Sequence, residues 1–135
     1  MVIFDWDVHH GDGTQSIFLE DPDVLFISIH RYDRGTFYPA SEDGHVSCQG
    51  SEKGKGFTVN ICLDFVDKKF REYKFQSPGD NEYIYIFHRI IEPIIKDFNP
   101  DFILVSSGFD AASGDPLGGF TVTTNGYFYL TKKLM

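Results

Sequence analysis

The chain has 135 residues and a mass of 15.4 kDa, which is enough for one ordinary domain and too little for two. Hydrophobic residues make up 41% of it and aromatic residues 16%, a composition that supports a packed core and excludes a disordered segment. The net charge of −8 repels phosphates and anionic lipids. We therefore expect neither direct nucleic-acid binding nor membrane binding.

Short apolar runs alternate along the chain with stretches of helical periodicity, the pattern of a parallel sheet covered by helices. In chain order we predict strands at Val2–Asp7, Val24–His30, Phe57–Leu63 and Phe102–Ser107, and helices at Thr14–Glu20, Asn81–Phe98 and Thr124–Met135. The second helix should bend at Glu92-Pro93, because proline has no backbone N–H to donate. The predicted fold class is therefore α/β.

The connecting segments carry further expectations. Residues 31–56 are rich in glycine and polar residues and too long for a simple connector, which indicates a functional rim loop. Cys48 and Cys62 form no CxxC pair, so we expect two buried thiols in a reducing compartment. Because the chain begins in a predicted strand and ends in a predicted helix, we expect it to be part of a longer domain.

Polar side chains gather where the first predicted strand ends. Asp5, Asp7 and His9 stand two residues apart, so on an extended segment they share one face. Ligands of open α/β sheets bind beyond the carboxyl ends of strands, and carboxylates with a neutral imidazole suit a divalent cation. Asp7 and His9 could therefore be metal ligands. Alternatively, the aspartates cap the following helix and His9 or His10 is only a hydrogen-bonded partner.

Another carboxylate follows the last predicted strand. Asp110 ends the run Ser106-Ser107-Gly108-Phe109-Asp110, where glycine permits an abrupt turn. Asp110 could supply a third metal ligand if the two strand ends converge. It could equally form an Asx turn or a helix cap, as could Asp115.

The segment Asp5–Gln15, with the sequence DWDVHHGDGTQ, resembles the signature of zinc-dependent histone deacetylases. Four further blocks are similar to class II members in the same order, at residues 28–33, 35–39, 54–60 and 106–119. The resemblance covers nearly the whole chain. It implies a three-layer, parallel-sheet arginase/deacetylase-like fold, with residues 1–135 as the central part of the catalytic domain and its N- and C-terminal parts missing.

The resemblance also implies two cofactors, zinc and potassium. Its zinc ligands would be Asp7, His9 and Asp110. Potassium would lie behind the zinc, held by the side chains of Asp5 and Ser28 and by the main-chain carbonyls of Asp7, His9 and Ile29. A second, looser cation site would use main-chain oxygens near Phe18, Asp21, Val24 and Phe57.

The implied reaction is zinc-dependent hydrolysis of N-acetyl-lysine on histones or other proteins, releasing acetate. Asp5 and Asp12 match residues that orient two catalytic histidines, while Phe37 and Leu117 match residues of the acyl-lysine channel. Family members carry the histidine pair and a catalytic tyrosine outside the matching segment, so we expect these 135 residues alone to be inactive. The implied partners are acetylated lysine peptides or proteins and corepressor proteins, in the nucleus or cytoplasm, in chromatin regulation and transcription repression.

Two features depart from the family pattern. Residues 64–79 are longer and more basic than expected, which predicts a surface insertion, and Asp12 stands where many class II members have asparagine. Two other functions remain open. One is an arginase-like manganese ureohydrolase, disfavoured because Phe109 and Leu117 stand where a second metal would need ligands. The other is a degenerate or truncated deacetylase that acts as a non-catalytic binding module.

Overall fold

The computed structural model describes residues 1–65 and 77–135. Its regular elements are β1 (Val2–Asp5), α1 (Asp12–Phe18), β2 (Leu25–Arg31), β3 (Thr58–Leu63), α2 (Asp80–Ile86), α3 (Glu92–Phe98), β4 (Ile103–Ser106) and α4 (Thr124–Leu134). Short 3₁₀ turns lie in the segment after β2, at Asp33–Gly35, Glu42–Gly44 and Glu52–Gly54. Among the described residues, no helix combines the length and apolar character that crossing a bilayer requires.

The four strands form one sheet in the order β3-β2-β1-β4, and every neighbouring pair is parallel. The predicted α/β class with a parallel sheet is therefore confirmed. Asp5, the last residue of β1, lies opposite Ser28 of β2 and Ser106 of β4. Because all strands run the same way, their carboxyl ends meet at one edge of the sheet.

Alternate side chains of the central strands enter two separate cores, because successive side chains point to opposite faces. The larger core, on one face, packs Val2 and Phe4 of β1 against Phe87, Ile91 and Leu130 of the helical layer. The smaller core, on the other face, contains Ile3, Val24, Phe26 and Phe18, the last from α1. Helices thus lie on both faces of the sheet, in three layers.

The long helix predicted at 81–98 is interrupted by a π turn, Phe87–Ile91, between α2 and α3. In a regular helix the ring of Pro93 would collide with the carbonyl of Arg89, four residues earlier. The wider π turn makes room for the ring just before the proline. The structure therefore has an irregular turn just before Glu92-Pro93, while a bend of the helix there stays a prediction.

Two further expectations concern the cysteines and the predicted insertion at residues 64–79. The expectation of two buried thiols is wrong, since Cys48 and Cys62 are both only partly buried. Cys48 lies in the segment after β2, and its thiol donates to the carbonyl of Glu42. Cys62 lies in β3, and its thiol donates to the carbonyl of Gly44. The basic residues of the predicted insertion lie outside the described residues; they are Lys68, Lys69, Arg71 and Lys74.

Candidate metal centre

Three predicted ligands come together where β1 and β4 end side by side. Asp7 and His9 belong to the segment after β1, and Asp110 belongs to the loop after β4. One donor atom from each residue lies within 4.8 Å of the donor atoms of the other two. The convergence of two strand ends, on which the sequence prediction depended, is therefore present.

The backbone fixes the two carboxylates around the imidazole. His9 Nδ1 lies 3.0 Å from Asp7 Oδ1 and 2.8 Å from Asp110 Oδ2. The backbone N–H of Val8 donates to Asp110 Oδ1 at 2.7 Å, and that of His9 donates to Asp7 Oδ1 at 2.7 Å. One oxygen of Asp110 is thus held by the backbone while the other faces the imidazole.

The three aspartates of this edge are electrostatically costly together. Asp5 is 5% exposed, and burial raises its pKa to about 7, with repulsion from Asp7 and Asp110 adding to the effect. The N–H of Asp7, which donates to Asp5 Oδ1 at 3.0 Å, opposes that rise. Burial also raises the pKa of Asp110. A bound cation would offset this accumulation of negative charge.

The donor set fits a catalytic zinc ion. Two carboxylates and one imidazole are zinc ligands, and a catalytic site uses three protein ligands and leaves one position open. Asp7, His9 and Asp110 are all half-buried. Asp7 and His9 line a cavity of about 370 Å³, together with Tyr38, Ser107 and Gly108. The open position therefore has room for water or a substrate oxygen.

Two glycines permit the close packing around the aspartates. A Cβ on Gly108 would overlap the carboxylate of Asp7, and a Cβ on Gly11 would overlap that of Asp5. In the sequence, Gly108 indicated only a turn. Gly108 stands between a strand end and the candidate ligand Asp110, which could have marked it as part of the site. Its contact with the Asp7 carboxylate was not predictable, because Asp7 lies 101 residues away in the chain.

The alternative that the aspartates cap α1 does not apply to Asp5 and Asp7. The N-cap of α1 is Gly11, which has no side-chain capping bond. Asp12, in the first turn, is exposed and accepts the N–H of Gly13 at 2.8 Å. Asp115 does form a turn, because its Oδ1 accepts the N–H groups of both Leu117 and Gly118.

His10, next to His9, belongs instead to a buried network of polar side chains on the α1 side of the sheet. His10 Nε2 lies 2.8 Å from Gln15 Oε1, which also accepts from Asn60 Nδ2 at 2.8 Å. Asn60 and Gln15 both donate to the carbonyl of Asp43. This buried network comprises His10, Gln15, Ser28, His30 and Asn60, each at most 6% exposed.

His30 links the buried network to the loop above it. Its Nε2 donates to the carbonyl of Gly44 at 3.0 Å, and its Nδ1 accepts from the hydroxyl of Ser28 at 2.9 Å. Burial, with the nearby His10, lowers the pKa of His30 to about 4, so the ring is neutral at pH 7. Neutral His30 and the amides of Gln15 and Asn60 therefore hold the loop after β2 against the sheet.

The side chains expected to hold potassium are neighbours. Asp5 and Ser28 are buried and stand opposite each other in β1 and β2. The potassium site at these side chains and at the carbonyls of Asp7, His9 and Ile29 stays a prediction. So does the second cation site, at Phe18, Asp21, Val24 and Phe57.

Two aromatic rings lie beside His9, at the edge of the cavity that Tyr38 lines. We call this edge the mouth of the cavity. The Phe37 ring is half-buried and stacks on the imidazole, with ring centroids 5.2 Å apart and planes 12° from parallel. Tyr38 is 74% exposed, meets His9 edge-on at 5.9 Å and lines the cavity. Leu117 is 73% exposed. The sequence indicated Phe37 and Leu117 as site residues but not Tyr38, although Tyr38 stands next to Phe37 in the aromatic pair before Pro39.

The histone deacetylase domain family matches residues 1–135. The chain is 46% identical over 134 residues to histone deacetylase HDA1 of Candida albicans and 45% identical over 141 residues to histone deacetylase 7 of Homo sapiens. It spans only 15% and 13% of the lengths of these relatives, while they cover 99% and 100% of it.

Two solved structures share this fold. The structure of the histone deacetylase Clr3 superposes with a TM-score of 0.88 at 43% identity, over 99% of this chain and 21% of that one. The HDA15 HD domain superposes with a TM-score of 0.86 at 44% identity, over 98% of this chain and 34% of that one. With the family match over every residue, these similarities show that the chain belongs to the histone deacetylase domain family.

Proposed function

We propose that the domain to which this chain belongs hydrolyses the acetyl amide of N-acetyl-lysine in a zinc-dependent reaction. The observation that carries the proposal is the convergence of Asp7, His9 and Asp110 beside a cavity that Asp7 and His9 line, in a chain of this family. The substrates we propose are histones or other acetylated proteins. The net charge of −8 supports this choice, because it favours basic, lysine-rich partners.

Asp7, His9 and Asp110 would hold the metal. Zinc, when bound, supplies a Lewis acid that polarises the acetyl carbonyl and lowers the pKa of a coordinated water. Asp5 and Asp12 would orient two histidines from another part of the domain, fixing their tautomers and raising their basicity. Potassium, coordinated by Asp5, Ser28 and nearby carbonyls, would offset the charge that raises the pKa of Asp5.

The aromatic residues of the cavity mouth would hold the substrate. Phe37 and Tyr38 lie on the His9 side of the mouth, and Leu117 contributes an exposed apolar side chain. Such a passage fits the four methylenes of a lysine stem and excludes water from the acetyl group. Beyond the site, we propose a role in chromatin regulation and transcription repression with corepressor proteins, in the nucleus or cytoplasm.

The test measures zinc content and hydrolysis of an acetyl-lysine peptide, on the 135-residue chain and on the full-length product of its gene. We expect one zinc per chain in both proteins and hydrolysis only by the longer one, since general acid–base catalysis contributes about 10²–10⁴-fold. Zinc binding without hydrolysis by either protein would favour the binding module. Comparable hydrolysis by both would disprove the expected dependence on residues outside this chain.

The same measurement addresses the arginase-like alternative. A dinuclear manganese centre needs more ligands than one cluster offers, and residues 1–65 and 77–135 contain a single cluster of three such donors. Binding of two manganese ions per chain, with release of urea from a guanidino substrate, would establish the alternative instead.

A further inference from the structure

Arg31, the last residue of β2, touches two aromatic rings near the candidate metal centre. Its guanidinium carbon lies 4.2 Å from the centre of the Phe37 ring and 4.5 Å from that of the Phe65 ring. Cation–π contacts at these distances are attractive, and more so when solvent is excluded. The Arg31 side chain is only 16% exposed, so its contacts are largely shielded from water.

The same guanidinium group binds the loop that follows Asp110. Arg31 Nη1 donates to the carbonyl of Gly118 at 3.1 Å and, more weakly, to that of Leu117 at 3.4 Å. These acceptors lie 86 and 87 residues from Arg31 in the chain. One side chain therefore bridges the segment after β2 and the loop after β4.

Asp33 fixes the orientation of the guanidinium. Its Oδ2 accepts from Nε of Arg31 at 2.6 Å and forms an ion pair with Nη2, also at 2.6 Å. Its Oδ1 accepts the backbone N–H of Phe65, also at 2.6 Å. A planar group with several donors is required for this arrangement, because lysine carries a point charge and cannot meet the carboxylate and both carbonyls in fixed directions.

On each side of Arg31, one of its contacts touches a candidate metal ligand. The Phe37 ring stacks on His9, and Gly118 packs so closely on the carbonyl of Asp110 that a Cβ there would overlap it. Tyr38, which follows Phe37, is exposed and lines the cavity, and Leu117, which precedes Gly118, is exposed on the other side of the Arg31 contacts. The distance between the two sides of the mouth thus depends on Arg31.

We infer that Arg31 is a positioning residue that sets the width of the passage between the Phe37–Tyr38 side and the Leu117–Gly118 side. This inference rests on the proposed deacetylase function for the identity of the group that enters the passage, an acyl-lysine side chain. Its consequence is selectivity. A braced passage admits the acetyl group and disfavours longer acyl groups, for which each added methylene changes discrimination by about 10–200-fold in a fitted pocket.

The first test needs no catalytic activity. Arg31→Met keeps the length and apolar stem of the side chain but removes the guanidinium, and Arg34→Met is the matched control. Arg34 is exposed, and within the described residues its side chain makes no ion pair or cation–π contact. Hydrogen exchange at the Leu117 and Gly118 amides should be about tenfold faster in Arg31→Met, as a local opening, and unchanged in Arg34→Met.

Unchanged exchange at these amides in Arg31→Met would overturn the bridging role. If both variants accelerate exchange throughout the chain, the effect is on global stability, and the positioning role is again rejected. Thermal unfolding of both variants, measured alongside, distinguishes a local opening from a global loss of stability.

The second test is kinetic and uses the full-length product of the gene. Arg31→Met should raise KM for an acetyl-lysine peptide about tenfold and change kcat less, because a displaced passage weakens substrate positioning. The preference for acetyl-lysine over butyryl-lysine should fall severalfold, and Arg31→Lys should restore only part of it. Full restoration by Arg31→Lys, or equal effects of Arg31→Met and Arg34→Met, would contradict the inference.

The experiments distinguish a failure of the proposed deacetylase function from a failure of the inference about Arg31. If the wild-type full-length protein hydrolyses no acetyl-lysine peptide, the proposed function falls, and hydrogen exchange still decides whether Arg31 braces the mouth. If the wild type is active and loses zinc together with kcat in Arg31→Met while KM is unchanged, Arg31 supports the metal centre and not the passage. That result would reject the selectivity role alone.

Discussion

The candidate metal centre and the buried network begin at adjacent residues, His9 and His10, and differ in what surrounds their polar groups. The side chain of His9 is 30% exposed and lies between the carboxylates of Asp7 and Asp110, and burial raises the pKa of Asp110. His10 is 5% exposed and bonds a neutral amide, which in turn bonds Asn60. Like charges gathered without enough partners indicate a ligand, whereas neutral groups paired with one another indicate a structural role.

Removing a carboxylate from the metal centre gives the largest expected effect. Zinc at about 100 times its dissociation constant should raise the free energy of unfolding by about 2.7 kcal/mol, and Asp7→Asn should abolish most of this gain. Without metal the variant should be no less stable than the wild type, because one repulsive charge is gone. Urea unfolding with and without zinc measures both quantities, and the exposed Asp101→Asn serves as a control that should keep the full gain.

The buried network should show the opposite response. Asn60→Ala removes two hydrogen bonds, to Gln15 Oε1 and to the Asp43 carbonyl, and should cost about 2 kcal/mol of unfolding free energy, at about 1 kcal/mol for each bond. The increment from zinc should be unchanged. Exposed Asn81→Ala is the matched control. If Asn60→Ala eliminated zinc stabilisation as Asp7→Asn does, the two regions would not be separate.

Two glycine substitutions test whether close packing on Asp7 matters for zinc binding. Gly108→Ala places a methyl group against the Asp7 carboxylate and should weaken zinc binding about 10-fold, the lower end of the effect of displaced groups around a metal ligand. Gly13→Ala in α1 meets no atom within 4 Å and should be neutral or slightly stabilising. A zinc titration of both variants by calorimetry decides the matter, and equal affinities would mean that Asp7 moves without cost.

The smallest effect is expected far from both regions, at Glu92. Its carboxylate accepts from Lys96 and His88 at 2.7 Å each, and these bonds lower its pKa to about 2. Since the folded pKa lies below the ordinary 4.5, the contribution to stability is present above pH 4.5 and is lost as pH falls toward 2. Glu92→Gln should therefore destabilise slightly at pH 7 and not at pH 2. High salt should shrink the difference, because the pairs are partly exposed.

The order of elements was predictable because each depends on local pattern. Apolar runs of four to seven residues between turn residues predicted all four strands, and periodic apolar positions predicted the helices. The π turn was not predictable in form, although Pro93 marked its place. Burial of the two thiols was wrongly expected, since composition does not show how far the neighbouring segments cover each side chain.

The candidate site was partly predictable for the same reason. The two-residue spacing of Asp5, Asp7 and His9 places them at one strand end, and Asp110 follows another strand. The sequence indicated His9 and Phe37, but not the buried partners of His10 or the place of Tyr38 beside His9, because these contacts depend on segments that only the fold brings together.

The fold class, the family and the residue types of the candidate metal centre were predictable from the sequence, because strand pattern and motif spacing are local properties. Tertiary structure alone decided the contacts between distant segments. It brought Asp110 to His9, set Gly108 against Asp7 and carried Arg31 to the carbonyls of Leu117 and Gly118. These contacts join residues some 86 to 101 positions apart, and only the parallel order of the strands brings such positions to one edge of the sheet.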